Sequence, residues 1–188
     1  HAGPILFAGY FQAQPFTVAG DRLVRFLNLA DGTQTRAINL PVATTAISLS
    51  PDGTRLAVAG DDKLVRILQI DNGQVLQTLP ALAQPASALS FSADSQRLAV
   101  LAGGGDLSVW HLPMLQLHEA ARDPSLSTVL FAGDSIGLLT GHQQGQIALR
   151  PLRYQRHFEG NTQPITDLAY HPSGATLFLT AADGALKG

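Results

Sequence analysis

Cysteine is absent from the 188 residues, so disulfides, thiolate zinc sites, covalent haem attachment and a cysteine nucleophile are excluded within this chain. Charge is scarce as well: Asp, Glu, Lys and Arg make up 14% of the residues, and the net charge is −2. The basic residues stand one or two at a time, with no stripe that could track a phosphate backbone, so nucleic acid is not expected as a partner. No uninterrupted apolar run approaches the ~20 residues needed to cross a bilayer. The start of the chain lacks a basic, then apolar, then small-residue leader. Membrane insertion by this chain is therefore not expected, and cytoplasm and periplasm both remain open. The chain starts at His1 rather than Met, and is expected to be a processed or excised piece of a longer polypeptide. With 45% hydrophobic residues and so few charges, it suits strands packed on both faces.

What is present is a repeat. From Thr45 to Pro80, four short runs with Val, Ile or Leu at alternate positions are separated by Pro51-Asp52-Gly53, Asp61-Asp62-Lys63 and Asp71-Asn72-Gly73. Gly and Asn tolerate positive φ, Pro presets φ, and Asp bonds its own backbone, so these are tight reversals between antiparallel strands. The segment TVAGDRLVRFLNL lies one repeat, about forty residues, before AVAGDDKLVRILQI. A third copy runs from Ala86 through a strand beginning at Met114. A fourth runs from Ser127 to a last strand over Arg153 to Gly160. A fifth begins at Ile165, turns at His171-Pro172-Ser173-Gly174 and stops in mid-repeat at Gly188. The units are approximately 1–40, 41–80, 81–121, 122–160 and an incomplete 161–188.

A repeated four-stranded meander of this length resembles the WD-repeat β-propeller family. Members place Gly-His before the first strand, Ser-Pro-Asp-Gly after it, Asp between the second and third strands, and Trp-Asp at the end of the third. Ser50-Pro51-Asp52-Gly53 matches the turn in full, and Ser92-Ala93-Asp94-Ser95 is a degenerate copy. Asp21, Asp62 and Asp183 fall at the turn-Asp position. Trp110, the single tryptophan, holds the Trp position, with Leu27, Leu68 and Arg150 at its equivalents. The resemblance implies an all-β propeller. Four four-stranded antiparallel blades plus half of a fifth are expected to form an open arc, part of a larger propeller with an apolar face at each end. Family members bury a hydrogen-bond network of His, a strand hydroxyl, the turn Asp and Trp. No repeat here has the full set, so Asp21 and Asp62 are expected to bond their own turns, and packing through Leu56, Val58, Val65 and Ile67 to supply the stability.

Residues with chemical potential have simpler readings. His111 and His118 could approach each other on neighbouring strands, but a metal needs a coordinated set, so the expectation is two groove histidines. Gly141-His142 falls in the wrong turn for the family dipeptide. Gly103-Gly104-Gly105 could form an anion nest, yet it joins two strands and reads as a hairpin turn. Asp61-Asp62 with Asp21 and Asp183 could hold a cation, but turn Asp has a sufficient local reason. The recurring Arg25 and Arg66 read as stems covering apolar surface. No metal and no cofactor is expected.

The function expected is a non-catalytic protein-interaction scaffold, a module of a larger protein or assembly, since the resemblance implies a platform for protein partners. The partner could include another copy or the remainder of the propeller. The face carrying the turns between second and third strands is the expected surface, with Arg22, Asp62, Lys63, Asp106, His142 and Gln143 as its residues. Asp21, Asp52, Gly53, Trp110 and Asp183 are expected to be structural. The alternative is a lactonase-like or oxidoreductase propeller with a channel site, for which Asp167 is the one ionisable candidate near the first strands.

Overall fold

Runs in which apolar residues alternate, cut by Gly-, Asn- and Asp-containing turns, fold as short strands, each pairing with the next in the chain. The computed structural model describes residues 2–11, 14–133 and 136–152 in full, together with the backbone of strands Ile165–Tyr170, Leu177–Ala181 and Leu186–Lys187. The chain divides into two compact units, His1–Arg153 and Tyr154–Gly188.

In the first unit, β1 (Ile5–Phe11), β2 (Gln14–Ala19), β3 (Leu23–Leu27) and β4 (Gln34–Asn39) form one antiparallel meander. The second sheet is β5 (Thr44–Leu49), β6 (Arg55–Gly60), β7 (Val65–Gln69) and β8 (Val75–Thr78). The third is β9 (Ala86–Phe91), β10 (Arg97–Ala102), β11 (Asp106–His111) and β12 (Gln116–Arg122). The fourth has β13 (Leu126–Phe131), β14 (Gly137–His142) and β15 (Ile147–Pro151). The strand expected over 153–160 lies outside the described residues. In the second unit, β16 (Ile165–Tyr170), β17 (Leu177–Ala181) and the short β18 (Leu186–Lys187) form one sheet. The half-blade expected there therefore includes the start of a third strand, which pairs with Leu179 and Thr180. The turn expected at His171 to Gly174 and Asp183 lie outside the described residues.

The expected start of the third sheet's last strand at Met114 is displaced to Gln116. Leu112 accepts a hydrogen bond from the Leu115 amide at 3.2 Å, and Leu115 sits at φ 51°, so a turn occupies those positions.

Alternation sends successive side chains of each middle strand into different interfaces. On β6, Leu56 and Val58 pack with Phe16, Val18, Val24 and Phe26 of the first sheet, whereas Ala57 and Ala59 pack with Leu98, Val100 and Trp110 of the third. Ala99, Leu101 and Val109 then meet Val129, Phe131 and Leu138 of the fourth. Between the first two sheets, Phe16 and Phe26 lie 5.6 Å apart by ring centroid, Phe11 meets Phe26 edge-on, and Arg36 caps the Phe26 ring at 3.9 Å. Two polar pins align neighbouring first strands: Phe91 N–H donates to Ser48 Oγ at 3.3 Å, and Phe131 N–H to Ser90 Oγ at 2.9 Å.

The fourth sheet breaks this pattern on the face turned away from the third. Leu130, Leu139 and Leu149 are direct cross-strand partners there. Leu130 is 58% exposed, Leu149 66%, and Ile147 beside them 80%. Leu6 and Tyr10 are likewise exposed on the first sheet.

Phe26→Ala should lower unfolding free energy in urea by about 3–5 kcal/mol, the usual cost of emptying an aromatic site in a packed core. Leu29→Ala, at a turn position 68% exposed, should change it by less than about 0.5 kcal/mol. Equal effects would remove the inter-sheet core as the source of stability.

Candidate interaction surface

The turns between second and third strands share one rim with the loops that lead from sheet to sheet, and backbone bonds tie the two sets together. Gly20 N–H donates to Pro4 O, Leu40 N–H to Arg22 O, Asp61 N–H to Ala43 O, and Leu82 N–H to Lys63 O. Along the same edge, Gly103 N–H donates to Pro85 O, Asp123 N–H to Gly105 O, and Gln143 N–H to Ser125 O. Each turn is thus bonded to the connection before it, and the first three also to the connection after it. The rim is one continuous hydrogen-bonded edge through the four sheets.

Within this rim the turn Asp residues are fully engaged. Asp21 Oδ1 accepts from Leu23 N–H at 3.3 Å, while Oδ2 accepts from Ala2 N–H at 3.0 Å and pairs with Arg25 at 2.6 Å. Asp62 repeats the arrangement, with Leu64 N–H at 3.2 Å and a two-pronged Arg66 at 3.2 and 2.6 Å. The expected bonds to the turn backbone are present. Arg25 and Arg66 differ from their reading as plain apolar covers, because each clamps the Asp four residues before it. The Arg66 hydrogen bonds are the main reason that the Asp62 carboxyl lies below its ordinary range. For Asp21 the Ala2 amide is the largest influence, with Arg25 and Leu23 lowering it further.

Arg22 and Lys63 follow these Asp residues at φ 61° and 65°, with exposed side chains. Gly105 and Gly145 take the corresponding place in the third and fourth sheets at φ 78° and 81°. Gly103–Gly105 forms the turn between β10 and β11, with Gly104 and Gly105 at the left-handed φ values of 80° and 78°. Any Cβ on Gly105 would fall on the Asp123 carbonyl, so close approach of the next connection requires glycine there. Asp106 pairs with Arg122 at 3.4 Å. Trp110, with Gly104 where the family has Asp, donates its indole N–H to Ser108 Oγ at 3.0 Å. Its polar atom is thus satisfied two residues away on its own strand.

The fourth repeat holds a polar cluster that the sequence did not reveal. Ser125 Oγ lies 2.6 Å from Asp123 Oδ1 and 2.8 Å from His142 Nδ1, and His142 Nε2 lies 3.4 Å from Thr140 Oγ1. Ser125 Oγ donates to the Asp123 carboxylate and shares a hydrogen bond with His142 Nδ1. Serine thus holds the middle place between carboxylate and imidazole, the place that histidine takes in a Ser-His-Asp triad. The cluster fastens a connection to the end of a strand, with Asp before the first strand and Gly-His closing the second, at the turn that leads to the third. These positions are the reverse of those in the family. His142, expected as an open contact residue, has a side chain only 15% exposed, whereas Gln143 is exposed beside it. The Ser125 hydroxyl and amide are the leading causes holding the Asp123 carboxyl below its ordinary range. Asp167 lies in β16 opposite Thr180.

The opposite rim carries a second recurring turn. Ser50 Oγ donates to Asp52 Oδ1 at 2.6 Å and accepts from Arg55 N–H at 2.9 Å. Ser92, Asp94 and Arg97 repeat that arrangement, with Ser95 at φ 57° where Gly53 has 70°. Ser95 also ties the turns together, accepting from Asp52 N–H at 3.2 Å. Partial burial disfavours the Asp52 and Asp94 carboxylates. Hydrogen bonds from Ser50 and Thr54, or from Ser92 and Gln96, outweigh it together with the paired arginines and bring both pKa values to about 2.

His111 and His118 do meet. Their rings stack at 5.1 Å and 3°, and the buried Nδ1 of His111 has no hydrogen-bond partner among the described residues. A stacked pair cannot point two lone pairs at one ion, and among the described residues no group of three or more His, Asp or Glu could hold a metal. Burial first, then His111 and Arg97, lower the His118 pKa.

The depressed Asp52 and Asp94 pKa values contribute stability that is present above about 3.8 and lost as pH falls towards about 2. Discounted for the exposure of these groups, the contribution is about 1 kcal/mol each. Asp52→Asn with Asp94→Asn should flatten an acid-unfolding curve in that window, and an unchanged slope would refute the assignment. His118 acts with the opposite charge. Its folded pKa is lowered from 6.5, so the unfolded chain takes up the proton first, and stability should decline as pH drops below about 6.5. Melting temperatures of parent and His118→Gln between pH 7 and pH 5 measure this, and the variant should show the shallower decline.

The model of the WD domain, G-beta repeat, matches residues 39–68 and 152–187. The first match runs through Ser50-Pro51-Asp52-Gly53 and the Asp62 turn as far as Leu68 at the Trp position, and the second spans β16, β17 and β18. No curated protein matches the chain. Repeat matches over these two segments, separate antiparallel meanders and the recurring turn chemistry all agree with the resemblance of this chain to the WD-repeat family.

Proposed function

We propose that this chain is a non-catalytic protein-interaction scaffold, a propeller module of a larger protein or assembly, which binds a protein partner through the rim bearing Arg22, Lys63 and Gln143. WD repeats generally mediate protein–protein contacts, and loops held by a rigid scaffold suit recognition. The observation that carries the reading is the unbroken series of backbone bonds from Gly20 to Gln143. It fixes successive turns as one edge while leaving these three side chains exposed. The serine, histidine and aspartate gathered on that rim are disposed to hold a loop rather than to attack a substrate.

The assignment of residues follows from their engagement. Asp62 and Asp106 contribute mainly through their arginine partners, and His142 through the loop it anchors. Arg22 and Lys63 are available to a partner, and Gln143 is exposed in the fourth turn while its Nε2 donates to Pro124 O at 3.4 Å. A photo-crosslinking amino acid placed at Asp61, exposed beside Lys63, should capture a protein from the native extract, while the same probe at Asn72 on the opposite rim should capture it at least about tenfold less. Equal capture at both positions would overturn the choice of rim.

A further inference from the structure

We infer that Arg22 and Lys63 act together as a two-point cationic dock for an acidic, extended segment of the partner, an inference that rests on the reading of this rim as the interaction surface. The two residues occupy equivalent places in successive repeats, directly after Asp21 and Asp62. Both are in the left-handed region, at φ 61° and 65°, where a Cβ is disfavoured. Gly105 and Gly145 fill that place in the next two sheets. Glycine would serve the turn better, so the long basic side chains have no local conformational reason to be there.

Neither cation is consumed within the protein. Both side chains are exposed, and among the described residues neither has a hydrogen-bond or ion-pair partner. The adjacent carboxylates are occupied: Asp21 by Arg25 and the Ala2 amide, Asp62 by Arg66 and the Leu64 amide. Asp61 is the exposed carboxylate of the second turn. Counting Arg22, Arg25, Lys63 and Arg66 against Asp21, Asp61 and Asp62, these two turns carry a net charge of +1 in a chain whose total is −2. Farther along, Asp106 is paired with Arg122, and Gln143 and Gln144 are neutral. The positive end of the rim is therefore confined to the first two sheets.

Their separation suits a strand. The two turns belong to packed neighbouring sheets, and the connection between these sheets bonds to both turns through Leu40 N–H to Arg22 O and Asp61 N–H to Ala43 O. Face-to-face sheets stand about 10 Å apart, roughly three residues of extended chain. A peptide crossing both turns can place a carboxylate near each cation without folding.

The test uses the 188-residue chain and fluorescein-labelled hexaglutamate, with hexalysine as the opposite-charge probe, followed by anisotropy at about 50 and about 300 mM NaCl. Hexaglutamate should bind at low salt and weaken at high salt, and hexalysine should bind at least about tenfold more weakly. The double variant Arg22→Gly with Lys63→Gly should lose at least about tenfold in hexaglutamate affinity while melting no lower than the parent, because glycine relieves both turns. Arg22→Asn with Lys63→Asn, which keeps a Cβ and removes the charge, should lose the same affinity. Absence of hexaglutamate binding, equal binding of hexalysine, undiminished binding by either variant, or a lowered melting temperature in the glycine variant would overturn the proposal. Failure of hexaglutamate with crosslinking at Asp61 intact removes the acidic class and leaves the rim standing. Loss of preferential capture at Asp61 removes the rim itself.

Discussion

Burial on both sides of the middle strands of the second and third sheets is the constraint on which this architecture depends. A strand flanked by two sheets has no solvent side, so its two alternating sets of residues must each fit a different neighbour. Small side chains therefore meet large ones: Ala57 and Ala59 lie against Leu98, Val100 and Trp110, with Val65 and Ile67 filling the rest. Between the first two sheets the order is inverted, since Phe16 and Phe26 stand where the second sheet has Ala57 and Ile67, and their rings press on Leu56 and Val58. Density is kept by exchanging volume across the gap rather than by repeating one residue at one position.

Polar groups follow the same economy of local substitution. Where Asp is missing opposite Trp110, Ser108 takes the indole proton. Where glycine is missing from the turn at Asp94, Ser95 adopts its conformation and reaches across to the previous sheet. The fourth repeat binds connection to turn with Asp123, Ser125 and His142, although each stands where the family would place something else. Eroded motifs thus still leave these buried polar atoms partnered, and partnering rather than residue identity is what the interior requires.

Much of the fold was legible because strand alternation and turn chemistry are short-range signals. Leu56 to Gly60 and Val65 to Gln69 declare themselves within a few residues, and Asp52-Gly53 or Asn72-Gly73 leave the chain one local option. The site was less legible, since its ties join residues that only the folded sheets make neighbours. Ser125 and His142 are 17 positions apart in sequence. The pairing of Arg66 with Asp62 depends on how the third strand leaves its turn. The stacking of His111 on His118 is accompanied by a shift of register between Val109 and Trp110, which places His118 opposite no single partner on β11. That Leu130 replaces the pinning serine of the two preceding sheets emerges only from the bonds Ser48 and Ser90 make.

The stitched rim has a thermodynamic corollary. Loops already bonded to one another lose little freedom on association, so the ordering cost falls on whatever approaches. A partner that arrives structured would meet a surface as rigid as the sheets beneath it, and one that arrives disordered would be shaped by this edge rather than reshape it. With Gly105 so closely covered by the Asp123 carbonyl, the rim behaves as a mould, receptive in outline and unyielding in form.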